Sequence, residues 1–453
     1  MMRWRGAMLD VSRHFFDAEF IKKTISALAV FDYNTLHLHL TDDQGWRLES
    51  KEFPLLHTVG SIRKQSQNNH GLLEPTYDGI EHSGYLTHED VREIISHAHS
   101  LGIRVIPEIN TPGHTGALLA AYPQFGINQN PVEVSGRWGI SNHLLRPFPE
   151  TFEFLTKVFQ EVAELFPSEY IHVGGDESLI NNWLLDPEVV DWMKSQGLVT
   201  AKEVFLYFMQ EVEKIINGLG KKMVTWDDAF AFDPDQATQA TVMSWRGAAI
   251  AQIALDHGRE VIQGPVLPTY FDYSQEVSTT EPLAIGGPIT LDDVLAFKPL
   301  PGATGVQFQL WSEYIQSPVH AEYMMWPRAA ALAYRCWGDG KDFETYFGQR
   351  RAQLEALGVM IREIDPGKRV NIAHLGIGEY HRGFDTAQIM QFLEESAIAG
   401  EVAEFNKFCN TVSSRATSAA TESRPGPMYL RGSTNFGLVS RARRTSWVKT
   451  LFR

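Results

Sequence analysis

Short apolar runs of strand length alternate with longer segments of helical period along most of this chain, and the alternation repeats eight times. Strands are expected at Ala7–Leu9, Thr35–Leu40, Arg104–Ile106, Tyr170–Val173, Lys222–Trp226, Val242–Trp245, Glu260–Gln263 and Val306–Leu310. Between them, Glu19–Phe31 places Phe20, Ile21, Ile25, Leu28 and Val30 at helical spacing. Further helices are expected at His88–Leu101, Pro149–Phe166, Lys202–Leu219, Ala248–Asp256, Leu291–Ala296 and Val319–Trp337. Thr87-x-x-Asp90 opens the first of these as a capping box with Asp in place of Glu. Eight strands, each followed by helical sequence, specify an α/β fold of the closed (β/α)8 TIM-barrel type. A doubly wound open sheet is the alternative. No Gly-x-Gly-x-x-Gly turn follows the first strand, so no dinucleotide site and no cofactor is expected.

A barrel of this kind carries its active site at the C-terminal strand ends. In chain order those ends hold Asp10 and Arg13, Asp42 and Asp43, Glu108 and His114, then Asp176 and Glu177. Trp226 with Asp227 and Asp228, Trp245 with Arg246, Tyr270 with Asp272, and Trp311 with Glu313 complete the ring. Acids and Arg bind hydroxyls, and Trp faces stack on the apolar side of a pyranose, so the set suits a hydroxyl-rich, flat-faced ligand. The most specific stretch is His172-Val-Gly-Gly-Asp-Glu177. Two glycines let the backbone bend where the strand ends, and two adjacent carboxylates follow. Buried carboxylates are costly unless paired, and burial raises a carboxyl pKa into the range of a general acid. The residues therefore point to acid/base chemistry.

Arg5-Gly-Ala-Met-Leu-Asp-Val-Ser-Arg-His-Phe15, His37-Leu-His-Leu-Thr-Asp-Asp-Gln-Gly-Trp46, Pro107-Glu-Ile-Asn-Thr-Pro-Gly-His-Thr115, Ile171-His-Val-Gly-Gly-Asp-Glu177 and Leu310-Trp-Ser-Glu313 stand in this order along the chain. Together they resemble glycoside hydrolase family 20, the β-N-acetylhexosaminidases, called chitobiases in some settings. The resemblance runs from about Arg5 to about Ile361. It implies an exo-acting retaining hydrolase that releases terminal β-linked N-acetylglucosamine or N-acetylgalactosamine by substrate-assisted catalysis through an oxazolinium intermediate. It implies Glu177 as general acid/base, Asp176 as the group that orients the 2-acetamido, and Tyr270 as donor to the acetamido oxygen. Trp226, Trp245 and Trp311 would wall the acetamido pocket. Arg13 and Glu313 would hold hydroxyls, with Asp272 near the reacting end, and Asp42 with His114 would tune Glu177. Adjacent residues of an extended backbone point apart, so Asp176 and Glu177 are not expected to flank a bond as nucleophile and acid. Partners would be N-acetylhexosamine-terminated oligosaccharides or glycoconjugates, met by a monomer or homodimer.

Several residues also have plainer readings. Arg13 suits a structural ion pair, His114 a buried hydrogen-bonded histidine, and Trp226 and Trp245 the core. Trp183, Trp192, Trp326 and Trp337 are expected in the core or between helices. His37 and His39 share one strand face, but without a third ligand no metal site is expected. Three positions depart from the family pattern. Asn110 stands where Asp is usual, which removes a charge expected near Glu177. Tyr334 replaces a Glu in the helix after the eighth strand, with a structural consequence expected. Ser141–Pro147 differs from the usual loop. Asn110, and the lack of the small α/β domain that often precedes this barrel, motivate an alternative: a catalytically impaired barrel that binds N-acetylhexosamine.

A net charge of -15 argues against a general nucleic-acid binder. No apolar run is long enough to span a membrane, and two distant cysteines, Cys336 and Cys409, call for no disulfide. Met1-Met2-Arg3-Trp4-Arg5 leads straight into a strand without a signal peptide. The compartment would be periplasmic, secreted or lysosome-like if a leader precedes it, and otherwise cytoplasmic. The catalytic barrel is expected over residues 1–365, and a C-terminal extension, partly disordered, over 366–453. Within that extension Ser413–Ser423 reads as a linker, and Arg424–Arg453 carries seven basic and no acidic residues.

Overall fold

Apolar runs covered on both faces pair side by side, because every strand in a barrel needs two parallel neighbours. The computed structural model describes residues 2–71, 73–276 and 281–363. The eight strands are β1 (Trp4–Asp10), β2 (Thr35–His39), β3 (Arg104–Thr111), β4 (Tyr170–Gly174), β5 (Lys222–Trp226), β6 (Thr241–Ser244), β7 (Val261–Gln263) and β8 (Gly305–Leu310). They close into one parallel barrel in chain order, with β1 hydrogen-bonded to both β8 and β2. Leu9 lies opposite Leu310 on one side and Leu38 on the other. The barrel interior is partly polar: Trp4 Nε1 donates to Gln307 Oε1 at 3.0 Å, and His37, His39, Glu108 and His172 are fully buried. The expected TIM barrel is therefore the observed fold.

The helices form where period and caps agree. In Ala18–Ala29, Phe20, Ile21, Thr24, Ile25 and Leu28 face the core, and the Asp17 side chain accepts from Phe20 N at 2.9 Å. Thr87 and Asp90 make the capping box expected at the start of His88–Ser100. The single helix expected over Val319–Trp337 is instead two, Pro318–Met325 and Arg328–Trp337. Pro327 has no N–H to continue the ladder, and its ring would clash with the preceding turn. The third strand runs beyond Ile106 to Thr111. Helices at Pro187–Gln196 and Phe343–Ala356 lie where no element was expected. Tyr334 packs its ring against Phe343 and Tyr346 of the latter helix, at 5.7 and 5.5 Å, so its consequence is structural as expected. Trp183 and Trp326 are core residues, and Trp192 and Trp337 pack against the core. Among the described residues no helix is long and apolar enough to cross a membrane. The extension expected over 366–453, its boundary near 365 and Cys409 lie outside the described residues.

The break at Pro327 places Arg328 where it can fasten the segment after β7. Its guanidinium is fully buried and donates to the carbonyls of Phe271 (2.6 Å), Tyr273 (3.0 Å), Ile289 (2.9 Å) and Met324 (2.8 Å). Burial pulls this guanidinium down to about 9. The carbonyls of Phe271 and Tyr273 flank the residues that follow Tyr270, so this cation holds one wall of the barrel mouth. Arg328→Met should leave buried carbonyls unpaired and lower unfolding free energy by about 3 kcal/mol or more in urea denaturation. A loss under about 0.5 kcal/mol, typical of an uninvolved surface site, would contradict this role.

Candidate active site

The site is organised around a carboxylate at the end of β2. There the chain turns through a two-residue hairpin, Thr41–Asp42 against Gly45–Trp46, which points Asp42 into the barrel mouth. Asp42 Oδ2 lies 2.5 Å from Arg13 Nη2 and 2.9 Å from His39 Nε2, while Oδ1 lies 3.0 Å from His114 Nδ1. Burial alone would raise this carboxyl; Arg13 and His114 outweigh it and hold it well below the usual carboxylate range. Arg13 also pairs with Asp10 at 3.2 Å, donates to Gln44 at 3.0 Å and lies over the Trp311 ring at 5.1 Å. It is thus an ion-paired residue that also faces the predicted site, with Glu313 adding to the negative field around it.

His39 connects Asp42 to a deeper carboxylate. Its Nδ1 lies 2.5 Å from Glu108 Oε2. Burial opposes charge on this ring, but Glu108 and Asp42 outweigh burial and push His39 up to about 10. Glu108 is also 3.0 Å from His37 Nε2 and from His172 Nδ1, and accepts from Trp226 Nε1 at 2.9 Å. His37 differs from His39: Gln307 Nε2 lies 3.1 Å from its Nδ1, and burial lowers it to about 4. Two groups therefore have ligand-type atoms within 4.8 Å of one another, His37–Glu108–His172 and Asp42–Asp43–His114. The further ligands that the sequence did not supply for His37 come from β3 and β4. Glu108 is already met by the His39 ring and Asp42 by the Arg13 guanidinium.

β3 carries one extra residue against β4: Glu108 pairs with His172 and Thr111 with Gly174. Such a bulge re-aims a side chain, and here Asn110 Nδ2 donates to Asp176 Oδ1 at 2.9 Å. Asn110 therefore meets Asp176, not Glu177 as the sequence suggested. The approach needs Gly174 (φ +75°), where a Cβ would collide with the Asn110 amide. Gly175 (φ +95°) and Glu177 (φ +48°) also take positive φ, so the extended geometry expected at Asp176–Glu177 does not hold at Glu177. His114 Nε2 instead lies 3.7 Å from Asp176 Oδ2 and 3.6 Å from Glu177 Oε2. Both carboxylates thus approach one imidazole on one side of the mouth. Asp42 and Asp176 outweigh burial to raise His114 well above the usual histidine value. Burial pushes Asp176 up to about 6, with His114 opposing and Glu108, Asp228 and Glu177 reinforcing.

Three rings, Trp226, Trp311 and Tyr270, follow one another as a continuous aromatic wall. The Trp311 ring is 5.9 Å from Trp226, 6.2 Å from Tyr270 and 4.9 Å from His39. Asp272 follows Tyr270 by two residues and is buried, as is Glu313. Trp245 stands apart from this stack and joins the site through Asp228, to which its Nε1 donates at 3.1 Å. Glu177 N donates to the same Asp228 at 3.0 Å, and Arg246 pairs with it. Ser141, from the unusual loop, donates to Asp43 at 2.8 Å. The predicted residues therefore share one barrel mouth. Asn110, Asp228, Arg246 and Arg328 support them but were not assigned to the site. Asp227-Asp228 and Arg246 were visible as strand-end charges; Arg328 left no signal within its helical pattern.

The sequence model described as glycosyl hydrolase family 20, catalytic domain, matches residues 2–339. A β-hexosaminidase of Porphyromonas gingivalis is 38% identical over 345 residues, which cover 74% of this chain and 43% of that protein. One from Vibrio furnissii is 35% identical, covering 75% and 57%. The chain spans about half the length of these relatives. The exo-β-N-acetylglucosaminidase of Vibrio harveyi, solved in complex with N-acetylglucosamine, superposes with a TM-score of 0.69 at 30% identity, covering 80% of this chain and 59% of that one. A barrel whose motifs meet at one mouth and a match over most of its length together show that this chain belongs to glycosyl hydrolase family 20.

Proposed function

We propose that this barrel is an exo-acting, retaining β-N-acetylhexosaminidase that removes terminal β-linked N-acetylglucosamine or N-acetylgalactosamine by substrate assistance. One observation carries the reading: Asp176 and Glu177 approach the same His114 nitrogen, at 3.7 and 3.6 Å. With both carboxylates drawn to one imidazole, one serves as the acid and its neighbour faces the acetamido group, in place of an acid and a protein nucleophile. The nucleophile is then the substrate's own 2-acetamido oxygen. Glu177 protonates the leaving oxygen as the acetamido oxygen closes on the anomeric carbon and the bond to the leaving oxygen breaks. Asp176 orients the acetamido group and balances the positive charge of the oxazolinium ring, and Tyr270 donates to the acetamido oxygen. Glu177, now a carboxylate, takes a proton from the water that reopens the ring, and the original configuration returns. Trp226, Trp245 and Trp311 wall the acetamido group; Arg13, Glu313 and Asp272 hold the sugar; Asp42 sets His114 against Glu177. Acid catalysis contributes roughly 10²–10⁴-fold, and charge stabilisation by Asp176 a further ~10²–10³-fold. The relatives named β-hexosaminidase and the N-acetylglucosamine complex of the Vibrio harveyi enzyme support this reading. Asn110, which motivated a binding-only barrel, leaves both carboxylates at the mouth and gives Asp176 a donor.

The direct test compares leaving groups. Wild-type protein should hydrolyse nitrophenyl β-N-acetylglucosaminide or the galactosamine analogue within the range of about pH 4 to 9. Glu177→Gln should lose roughly 10²–10⁴-fold with alkyl leaving groups, which need the proton, and far less with dinitrophenyl. Equal losses would contradict the acid role, and no turnover by wild type would contradict the function.

The pH dependence follows from Asp176, which works as a carboxylate. Because it is held at about 6, its protonation should lower the rate on an activated substrate as pH falls through that value. Asn110→Asp puts a second carboxyl where the 2.9 Å amide bond now lies. The pair then shares a proton, and the acid limb of the pH–rate profile should move upward by about one unit or more. An unmoved limb would show that Asp176 does not govern it.

A further inference from the structure

The general-acid loop is fastened from outside the strand that carries it. Glu177 sits at φ +48°, a backbone region sparsely populated by residues other than glycine. Its amide donates to Asp228 Oδ1 at 3.0 Å, a bond across from the end of β4 to the end of β5. The other oxygen of Asp228 accepts from Trp245 Nε1 at 3.1 Å, at the end of β6. Arg246 grips the carboxylate with a fork, Nη2 to Oδ1 at 2.7 Å and Nη1 to Oδ2 at 2.6 Å. Its Nη1 reaches Asp227 Oδ1 as well, at 2.7 Å, and its guanidinium covers the Trp245 ring at 4.2 Å. Asp227 is fixed in turn by Ser244 at 2.8 Å. One carboxylate therefore joins the ends of three strands.

We propose that Asp228, held by Arg246, is a positioning residue that sets where the Glu177 carboxyl meets the leaving-group oxygen and locks the Trp245 indole to the same frame. This rests on the acid role proposed for Glu177. A carboxylate facing a backbone amide makes a charge-assisted bond, stronger than a neutral acceptor gives. The left-handed residue needs such a restraint, because local backbone preference alone does not keep it there. The planar fork of Arg246 matches both oxygens of Asp228, leaving the carboxylate one orientation; lysine would supply charge without that geometry. Glu177 itself is the more exposed group, its side chain 14% accessible against 5% for Asp228. The rigid part of the device thus lies behind the reacting part. Neither Asp228 nor Arg246 exchanges a proton with substrate in this scheme. They act only through the placement of Glu177 and Trp245.

The test measures kcat and KM at the pH optimum for an alkyl and a 2,4-dinitrophenyl β-N-acetylglucosaminide. kcat/KM reports the bond-breaking step, in which a misplaced acid is felt only where the leaving group needs its proton. Asp228→Ala should lower kcat/KM for the alkyl substrate by about 10²-fold, as a misplacement near 1 Å does, and for the dinitrophenyl substrate by less than about fivefold. Asp228→Asn, which keeps an acceptor for the Glu177 amide, should recover much of the alkyl activity, and Arg246→Lys should fall between the two. If Asp228→Ala is insoluble, Asp228→Asn and Arg246→Lys carry the test by the same leaving-group selectivity. Equal losses on both substrates, or no loss on either, would overturn the inference while wild-type turnover left the glycosidase reading intact. Absence of wild-type turnover would overturn both.

Discussion

Asp42 is a buried carboxylate in contact with three potential cations, Arg13, His39 and His114, at 2.5, 2.9 and 3.0 Å. Placing one charge there alone would be prohibitive, because desolvation in a barrel interior costs several kcal/mol per ion. The cluster persists only because each charge has a partner of opposite sign. Those partners come from different places: Arg13 follows β1, His39 ends β2, and His114 follows β3. The ion cluster therefore works as a register device. Moving any of these strand ends would leave a buried charge uncompensated, so electrostatics confines the side chains at this end of the barrel.

From that cluster the field runs in two directions. Downward, His39 and Glu108 link it to His37, His172 and Trp226 within the barrel. Upward, His114 faces both Asp176 and Glu177. The two carboxylates are then separated by their other contacts. Asp176 is buried against Asn110 and pushed up to about 6. Glu177 is carried on a left-handed backbone whose amide is taken by Asp228. Adjacent acids on one strand end thereby acquire different surroundings.

Much of this was legible in the sequence. Period and length marked the strands, and the barrel rule then placed their polar ends at one mouth. What was not legible depends on geometry between strands. The extra residue in β3 decides that Asn110 meets Asp176, and a bulge has no local sequence mark apart from its partner strand. The left-handed turn at Glu177 hides behind two glycines that suggest bending without giving its direction. Asp228 and Arg246 looked like ordinary strand-end charges until their pairing joined three strands. Arg328 reads as one more helical Arg, and only the break at Pro327 turns it toward the carbonyls after Tyr270.

The central claim is that the substrate supplies its own nucleophile at this mouth, and the most direct measurement varies only that nucleophile. Nitrophenyl β-glucosaminides whose N-acetyl group carries zero to three fluorines have progressively weaker acetamido oxygens. Substrate assistance predicts that log(kcat/KM) falls steeply along the series, spanning about 10²-fold or more, since the weakened group attacks in the transition state. A flat series, with kcat/KM unchanged within about threefold, would contradict it and require the attacking group to come from the protein or from water.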